Sequence, residues 1–195
     1  MNRYPPNSSI RSDFEIAGTR IVLTPIRASD SPRNYRWECD TELATLNGRA
    51  PITMSYLEYL TLSPQEEAPS SKLVFAIRTK KDECHIGNCA LYDFDYCGSE
   101  ASLGISIGER AFHRRGYGTD AIKTMAGYAF FQQGIARLQL KTLAWNAAAL
   151  TCFVKCGFQT CGTSLENGHR YILMQLGADR FLTLHQPSDD VERES

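Results

Sequence analysis

The chain has 195 residues, which fits one domain better than two, and its 43% hydrophobic content is ordinary for a globular protein. The formal net charge of −1 gives no electrostatic support for a nucleic-acid or membrane partner, so we expect neither. No apolar run approaches the roughly 20 residues that span a bilayer, and residues 1–12 lack the apolar stretch of a signal peptide. We therefore expect a cytoplasmic protein, and the sequence leaves both a monomer and a homodimer open.

The seven cysteines show no Cys-x-x-Cys spacing of the kind found in zinc ribbons and thiol–disulfide enzymes. Their odd number, without a secretory signal, argues against a disulfide framework. We expect small buried hydrophobic side chains and no metal site, with Cys152 and Cys156 on one face of a helix. His85, beside Cys84, is expected at the surface.

The predicted elements begin after a polar, flexible arm at residues 1–12. Alternating β-branched residues predict a strand at residues 20–27. A helical region follows, which Asp30 or Ser31 can cap. Further along, the pattern predicts a weaker helix at 54–62, a loop at 63–71, and strands at 72–79, 85–94 and 100–108.

Three sequential strands joined by short turns form an antiparallel meander. After them the apolar residues repeat with a helical period, and the chain then alternates between helices and strands. We predict a helix at 119–131, a strand at 138–145, a helix at 146–156 with Asn146 as its N-cap, a hairpin over Asn167-Gly168 from residue 158 to 176, and a disordered tail at 185–195. This order predicts a single α/β domain at residues 13–184 with a mixed, mostly antiparallel sheet flanked by helices.

The segment between the third meander strand and the next helix is predicted to bind an anion. Its residues are Arg114, Arg115, Gly116, Tyr117, Gly118 and Thr119. The first N–H groups of a helix have no internal partners, and the helix dipole places positive potential there. Two glycines let a pyrophosphate approach the backbone, and two arginines add positive charge. A tight strand-to-helix turn with a solvated arginine pair is an alternative interpretation.

Two other phosphate-binding motifs do not match the spacing of this segment. Ala121 stands where the third glycine of a dinucleotide-binding fingerprint belongs, and no second parallel βαβ unit follows. The Lys-Ser/Thr pair of a Walker motif is also missing after the glycines.

Two blocks of the sequence resemble the GNAT acyltransferases, and more closely their ribosomal-protein-alanine acetyltransferase-like branch. The family's acetyl-CoA loop reads Gln/Arg-x-x-Gly-x-Gly/Ala, and here His113 stands at its first position. The second block, Asn146 followed by Lys155-Cys156-Gly157-Phe158, resembles the branch's Asn…Glu-Lys-x-Gly-Phe. Tyr35-Arg36-Trp37 with Asp40 and Glu42 resembles its Trp-x-x-Asp-x-Glu stretch. The resemblance covers about residues 20–176.

The resemblance implies acyl transfer from acetyl-CoA to an amine in a ternary complex, without a metal. The pantetheine arm would lie along Ile105, Ser106 and Ile107 like an added strand, and the pyrophosphate would lie on the N–H groups of residues 114–119. Asn146 would hydrogen-bond the pantetheine, in addition to its role as an N-cap or instead of it. A backbone N–H near Ile107 would stabilise the oxyanion.

Several positions depart from the family pattern. Phe153 stands where many relatives have a tyrosine that protonates the thiolate, and Ser102 stands where relatives often place a glutamate. Glu100 shares a strand face with Ser102, so we take it as the candidate general base, although it also borders a turn. Other candidates near the acceptor are Asp93 and Asp95, against the alternative of strand-end surface charges, and Tyr35, Trp37 and Tyr56, against the alternative of core packing.

The leading functional hypothesis is an N-acetyltransferase that acts on a primary amine. The acceptor would be a protein N-terminus or a small molecule such as a polyamine or an aminoglycoside. A catalytically silent acyl-CoA-binding sensor is the alternative from another class. A general nucleotide-binding protein would bind ATP and CoA with similar affinity.

Overall fold

The computed structural model describes residues 14–62, 72–95, 97 and 99–185. The predicted arm at residues 1–12, the loop at 63–71 and the tail beyond 185 lie outside these residues. Within the described part, the strands are β1 (Ile16–Ala17), β2 (Ile21–Pro25), β3 (Lys72–Thr79), β4 (His85–Asp95), β5 (Glu100–Ile107), β6 (Arg137–Leu143), β7 (Gln159–Glu166) and β8 (His169–Gly177). The helices are α1 (Ser31–Cys39), α2 (Thr41–Leu46), α3 (Tyr56–Leu62), α4 (Tyr117–Phe131), α5 (Ala147–Lys155) and α6 (Ala178–His185).

The strands form one sheet in the order β1-β2-β3-β4-β5-β6-β8-β7. Each neighbouring pair is antiparallel except β5 and β6, which are parallel. The prediction of a single α/β domain with a mixed, mostly antiparallel sheet is therefore confirmed. The loop through Asn167 and Gly168 joins β7 to β8, as the Asn-Gly pair predicts, and both residues have a positive φ.

Helix α4 covers one face of the sheet and supplies much of the core. The apolar positions predicted from helical spacing are buried, with Ala121, Met125 and Ala129 at 0% exposure. They pack against strand residues such as Phe75 and Ile77. Ala76 and Arg78 alternate with these residues and therefore face the other side of the sheet, where α1 lies.

The helical region predicted after β2 is divided into α1 and α2 by Asp40. The extended backbone of Asp40 (φ −73°, ψ 115°) ends α1, and its carboxylate accepts the N–H groups of Glu42 and Leu43 at 2.9 and 3.0 Å. Asp40 therefore caps α2.

The side chain of Asp30 does not cap α1, contrary to one prediction from the sequence. Its carboxylate accepts two hydrogen bonds from Arg78 Nη2, at 2.6 and 2.8 Å, and the Arg27 N–H at 2.8 Å. A buried arginine on the sheet needs a charged partner, and this need outweighs the free N–H groups of a helix start, which water can reach.

His85 is buried at 3% exposure, so the prediction of a surface histidine is wrong. Its Nε2 lies 2.8 Å from Asn88 Oδ1, and its Nδ1 lies 3.3 Å from Asp30 Oδ1. The Trp37 ring packs edge-on against the imidazole, with 4.8 Å between ring centroids. Trp37 of α1 and Asp30 of the preceding turn therefore cover His85. No local sequence signal indicates this, because His85 follows a charged turn.

The cysteines differ in exposure more than the prediction allowed. Cys89 and Cys156 are buried, whereas Cys97 and Cys161 are exposed, and all seven are free thiols.

Helix α6 was not predicted, and the expected start of the tail, His185, is its last residue. Its short sequence becomes helical where Phe181 packs on Phe130, with 5.4 Å between ring centroids.

Two further observations concern the part of the chain that the structure describes. No helix there is long and apolar enough to cross a membrane. No group of three or more His, Cys, Asp or Glu side chains there could hold a metal ion.

Candidate active site

The sheet splits between its two parallel strands. Strands β5 and β6 pair only at Glu100–Arg137, Ala101–Leu138 and Ser102–Gln139. Beyond Ser102, the described residues provide no partner for the β6-facing edge of β5, and β6 continues to pair with β8 on its other side. A wedge-shaped cleft results, which is closed at Ser102 and Gln139 and open toward the carboxyl ends of both strands.

The free edge of β5 includes Ile105, Ser106 and Ile107, the residues expected to hold a pantetheine arm. An unpaired strand edge presents N–H and C=O groups that an extended ligand can bind as an added strand does. His113 Nε2 lies 2.7 Å from the Ile107 carbonyl oxygen, so His113 joins the end of β5 to the following loop. The structure thus gives this predicted site residue a contact with the strand end.

Helices α4 and α5 both begin at the open end of the cleft, but only one of them has a side-chain cap. Asn146 Oδ1 accepts the Ala149 N–H at 3.1 Å and caps α5, as predicted. The N-cap of α4 is Gly116, which has no side chain that could accept a hydrogen bond. The N–H groups of the first turn of α4 therefore remain available for an anion.

The loop before α4 is tightly turned. Arg114 and Gly116 both have left-handed backbone conformations, with φ of 55° and 85°. The first hydrogen bond of the helix runs from the Asp120 N–H to the Gly116 carbonyl at 3.0 Å. Helix α4 begins at Tyr117, two residues before the predicted start at residue 119.

Gly118 lies in the first turn of α4 at a position where the protein itself would accept a side chain. A Cβ added there would lie 3.7 Å from both Ile107 Cγ1 and Cys152 Sγ, which is ordinary van der Waals contact. The glycine therefore leaves open the space between the end of β5, the start of α4 and α5.

Arg20 belongs to the same corner of the molecule and was not predicted from the sequence. Its guanidinium carbon lies 4.4 Å from the centroid of the Tyr117 ring, and its Nη1 donates to the Arg115 carbonyl at 2.5 Å. Phe112 also packs against the Tyr117 ring, with 5.2 Å between the ring centroids. The Tyr117 side chain therefore packs between Arg20 and Phe112. Its backbone N–H is one of the donors in the first turn of α4. No local sequence signal connects Arg20 to a loop 95 residues away.

Thr119 contacts a cysteine pair on α5. The Thr119 hydroxyl oxygen lies 3.3 Å from Cys152 Sγ, and Cys156 Sγ lies 3.6 Å from the Thr119 carbonyl oxygen. The neighbouring Cys156 thiol, together with the Thr119 hydroxyl, lowers the pKa of Cys152 to about 6. The two cysteines share a helix face as predicted, but Cys152 has a polar environment that the sequence did not indicate.

The predicted acid–base residues have mixed surroundings. Glu100 lies at the closed end of the cleft, where its carboxylate accepts hydrogen bonds from Arg137 at 2.7 Å and from Gln139. Its role as general base stays a prediction. Asp93 and Asp95 are exposed at the end of β4. Phe153 is buried in the core against Phe158, with ring centroids 5.9 Å apart.

The aromatic residues proposed for an acceptor pocket pack among themselves. Tyr35 lies 5.2 Å from Tyr56 and 5.4 Å from Tyr59, measured between ring centroids, and joins α1 to α3. Trp37 lies under Gly108, where an added Cβ would meet the indole at 2.1 Å. These contacts fit the packing alternative.

Asn146 has a second contact besides its cap of α5, since its Nδ2 lies 3.5 Å from the Leu46 carbonyl oxygen.

Comparisons with known proteins agree with this geometry. The family profile "Acetyltransferase (GNAT) domain" matches residues 20–159. Alpha/beta-tubulin-N-acetyltransferase 9 of Mus musculus is 23% identical over 194 residues, which cover 91% of this chain and 78% of that protein.

Among solved structures, spermidine N-acetyltransferase from Vibrio cholerae, in complex with CoA and spermine, is similar with a TM-score of 0.76. It is 16% identical, and the match covers 84% of this chain and 99% of that one. A candidate ribosomal-protein-serine acetyltransferase from Vibrio cholerae has a TM-score of 0.67 at 20% identity, with 85% and 98% covered. At these identities the structures show a shared fold, whereas the family profile spans most of the chain. The chain therefore belongs to the GNAT acetyltransferase family and is an acyltransferase.

Proposed function

We propose that this protein transfers the acetyl group of acetyl-CoA to a primary amine by direct attack within a ternary complex. The observation that carries the proposal is the continuity between the free edge of β5 and the uncapped start of α4. One can bind an extended amide-containing arm, and the other can bind the pyrophosphate at its end. A coenzyme A thioester has both parts in this order.

In the proposed complex, Ile105, Ser106 and Ile107 bind the pantetheine arm through their backbone. The pyrophosphate lies on the N–H groups of the loop and first turn, formed by Arg114, Arg115, Gly116, Tyr117, Gly118 and Thr119, with His113 supporting the end of the strand. Asn146 would add a contact to the arm from the start of α5. The thioester then lies toward the closed end of the cleft.

The reaction needs a neutral amine nitrogen that attacks the thioester carbonyl carbon. A C–N bond forms, the C–S bond breaks, and its electron pair goes to the sulphur of CoA. A backbone N–H on the free edge of β5, beyond Ser102, would stabilise the oxyanion of the tetrahedral intermediate. Glu100 is the candidate base for the amine proton, and it would have to exchange its contact with Arg137 or Gln139 for one with the amine or an intervening water.

The acceptor class is a primary amine of a protein or a small molecule. Support comes from the names of similar proteins, which specify tubulin for one and spermidine for another. Both acceptors have primary amines. The similarity to the tubulin acetyltransferase extends over 91% of this chain, so peptides with tubulin N-terminal sequences belong in the first assays.

An amine panel with acetyl-CoA tests the proposal, with release of free CoA thiol as the readout. The panel contains tubulin N-terminal peptides, unrelated peptides with free N-termini, the same peptides with blocked N-termini, and polyamines. We expect turnover with at least one free amine and none with its blocked form. Tight acetyl-CoA binding without turnover on any amine would instead support the acyl-CoA sensor, and equal affinity for ATP and CoA would contradict a dedicated coenzyme A site.

A further inference from the structure

A tyrosine of β4 lies over the cleft wall next to its closed end. Tyr92 is paired in register with Ser102, the last residue of β5 that also pairs with β6. The Tyr92 ring leans toward Gly104, where an added Cβ would lie 3.2 Å from Tyr92 Cε1 and 3.9 Å from its hydroxyl oxygen. Gly104 belongs to the free edge of β5. The phenol therefore lies where the two parallel strands begin to diverge.

The hydroxyl of Tyr92 is an unused hydrogen-bond donor. Tyr92 is half-buried, and none of the residues in the described ranges forms a hydrogen bond with its hydroxyl. Water reaches this hydroxyl, since the buried side-chain polar atoms without a partner in the described ranges are Trp37 Nε1 and His85 Nδ1. A ligand in the cleft could replace that water as the hydrogen-bond partner.

Lys141 of β6 brings a positive charge to the same place from the opposite wall. Its ammonium group is paired with the Glu166 carboxylate. It also interacts electrostatically with both Tyr92 and Tyr171, and it lies 5.2 Å from the centroid of the Tyr171 ring. Burial and the Asp93 carboxylate raise the pKa of Tyr92, against the opposite effect of Lys141. The phenol thus carries its proton at neutral pH, and an anion formed between the two walls would meet its O–H beside the ion pair of Lys141 and Glu166.

The three residues from Ile107 to Gly104 span about 10 Å, because a strand advances by about 3.3 Å per residue. We expect an extended arm that binds along β5 from Ile107 past Ile105 to end beside Gly104. The sulphur of acetyl-CoA would therefore lie near the Tyr92 hydroxyl. Phe153, at the position where related enzymes have a tyrosine, cannot donate a proton.

We propose that the Tyr92 hydroxyl contacts the sulphur of bound acetyl-CoA and donates its proton to the departing thiolate. This inference rests on the proposed function. As the amine nitrogen bonds to the carbonyl carbon, the electron pair of the breaking C–S bond goes to sulphur, which takes the proton from the Tyr92 oxygen. The nitrogen releases one proton as the amide forms, and this proton returns through solvent to the tyrosinate.

Binding of CoA and desulfo-CoA tests the contact without a known acceptor. Calorimetry would compare the wild type with Tyr92→Phe, and with Tyr128→Phe as a control that removes a phenol oxygen from α4, away from the cleft. We expect the wild type and Tyr128→Phe to prefer CoA over desulfo-CoA about fivefold, the effect of one hydrogen bond. The preference should increase from pH 7 to pH 9, since the thiolate is the stronger acceptor. Tyr92→Phe should bind both ligands equally.

A CoA preference in Tyr92→Phe equal to that of the wild type would overturn the contact. If the wild type binds neither ligand, the proposed function fails first, and this inference fails with it. With an accepted amine, we expect Tyr92→Phe to lower kcat at least tenfold, within the usual range for general acids, with little change in the KM for acetyl-CoA. The fall of kcat at alkaline pH in the wild type should disappear in Tyr92→Phe. An unchanged kcat and pH profile would exclude Tyr92 as the proton donor.

Discussion

The carboxylate of Asp120, in the first turn of α4, accepts a hydrogen bond from the backbone N–H of Arg20 at 2.6 Å. The same carboxylate accepts the N–H groups of Thr19 and Ile21, both at 3.1 Å. A negative side chain next to a proposed anion site is thus directed away from it, toward the start of β2. This anchor also holds Arg20 beside the loop, where its guanidinium group contacts Tyr117 and Arg115.

Replacing Asp120 with alanine should loosen this corner. We expect Asp120→Ala to lower the free energy of unfolding by about 1–3 kcal/mol, because backbone donors lose a charged acceptor. Urea unfolding measures the loss. Asp179→Ala is the matched control, since Asp179 is also an acid in a first helical turn but has no side-chain hydrogen bond among the described residues. Equal losses in the two variants would show that the helix dipole alone explains the effect.

Substitution of Gly118 separates cofactor binding from folding. A Cβ at this position meets only ordinary contacts, so Gly118→Ala should keep or increase stability by up to about 1 kcal/mol through helix propensity. It should nevertheless raise the Kd for acetyl-CoA, and Gly118→Val should raise it further, because the side chains occupy the space of the pyrophosphate. Gly127→Ala in the same helix should give the stability change without the binding change. Calorimetry showing unchanged affinity in Gly118→Val would place the cofactor elsewhere.

Glu100→Gln tests the candidate base. If Glu100 takes the amine proton, the variant should lower kcat more at neutral than at high pH, where the amine is already deprotonated. Arg137→Gln removes the ion-pair partner but keeps the carboxylate, so it should preserve the pH profile. A loss of kcat in Glu100→Gln that is the same at every pH would exclude Glu100 as the base.

The buried pair of Asp30 and Arg78 should make stability pH-dependent. Burial raises the pKa of Asp30, but His85, the Arg27 N–H and Arg78 lower it by more, so its net pKa lies well below the usual range. A depressed folded-state pKa stabilises the protein above the unfolded value of about 3.9, and this stabilisation is lost as the pH falls toward the folded value.

We therefore expect Asp30→Asn to cost about 3–5 kcal/mol at pH 7, because Arg78 keeps a buried, unpaired charge. The difference from the wild type should shrink progressively below about pH 4. Urea unfolding at several pH values measures it. Glu38→Gln, which breaks the exposed pair with Arg49, should have an effect near zero at every pH. A pH-independent cost of Asp30→Asn would contradict the linkage.

The thiol of Cys152 should react at lower pH than an ordinary cysteine. Its pKa of about 6, lowered first by the Cys156 thiol, predicts a midpoint near pH 6 for its alkylation rate, against about 8.5 for a free cysteine. Mass spectrometry after brief iodoacetamide treatment can follow Cys152, with the exposed Cys161 as an internal reference. Because Cys152 borders Gly118, acetyl-CoA should protect it and leave Cys161 unprotected. Equal labelling with and without the cofactor would argue against a site at this corner.

Local patterns were sufficient for most elements of the fold. The strand at residues 72–79 was predicted at its observed bounds, because its β-branched and aromatic residues lie between polar turn residues. Helix α4 and the cap at Asn146 follow from signals within a few residues of each other. Helix α6 was missed because the contact of Phe181 with Phe130 lies outside any local window.

The errors concern side chains whose partners are distant in sequence. His85 is buried because Trp37 and Asp30 cover it, and the side chain of Asp30 leaves the helix start because Arg78 needs a counter-charge. Arg20 and Tyr92 reach the cleft only through the packing of β2 and β4. In each case the interaction depends on sheet register, which composition and spacing do not specify.

By itself, the sequence determined most of the element order, the family and the glycine-containing start of α4. Helical and strand periods, caps and turn residues act over a few positions, so they can be identified along the chain. Only the tertiary structure decided that β5 and β6 separate after Ser102, that α4 is uncapped beside this opening, and that the Tyr92 phenol lies at its closed end. These features arise from pairing and packing between segments far apart in the sequence, where the choice of partner depends on the whole folded core.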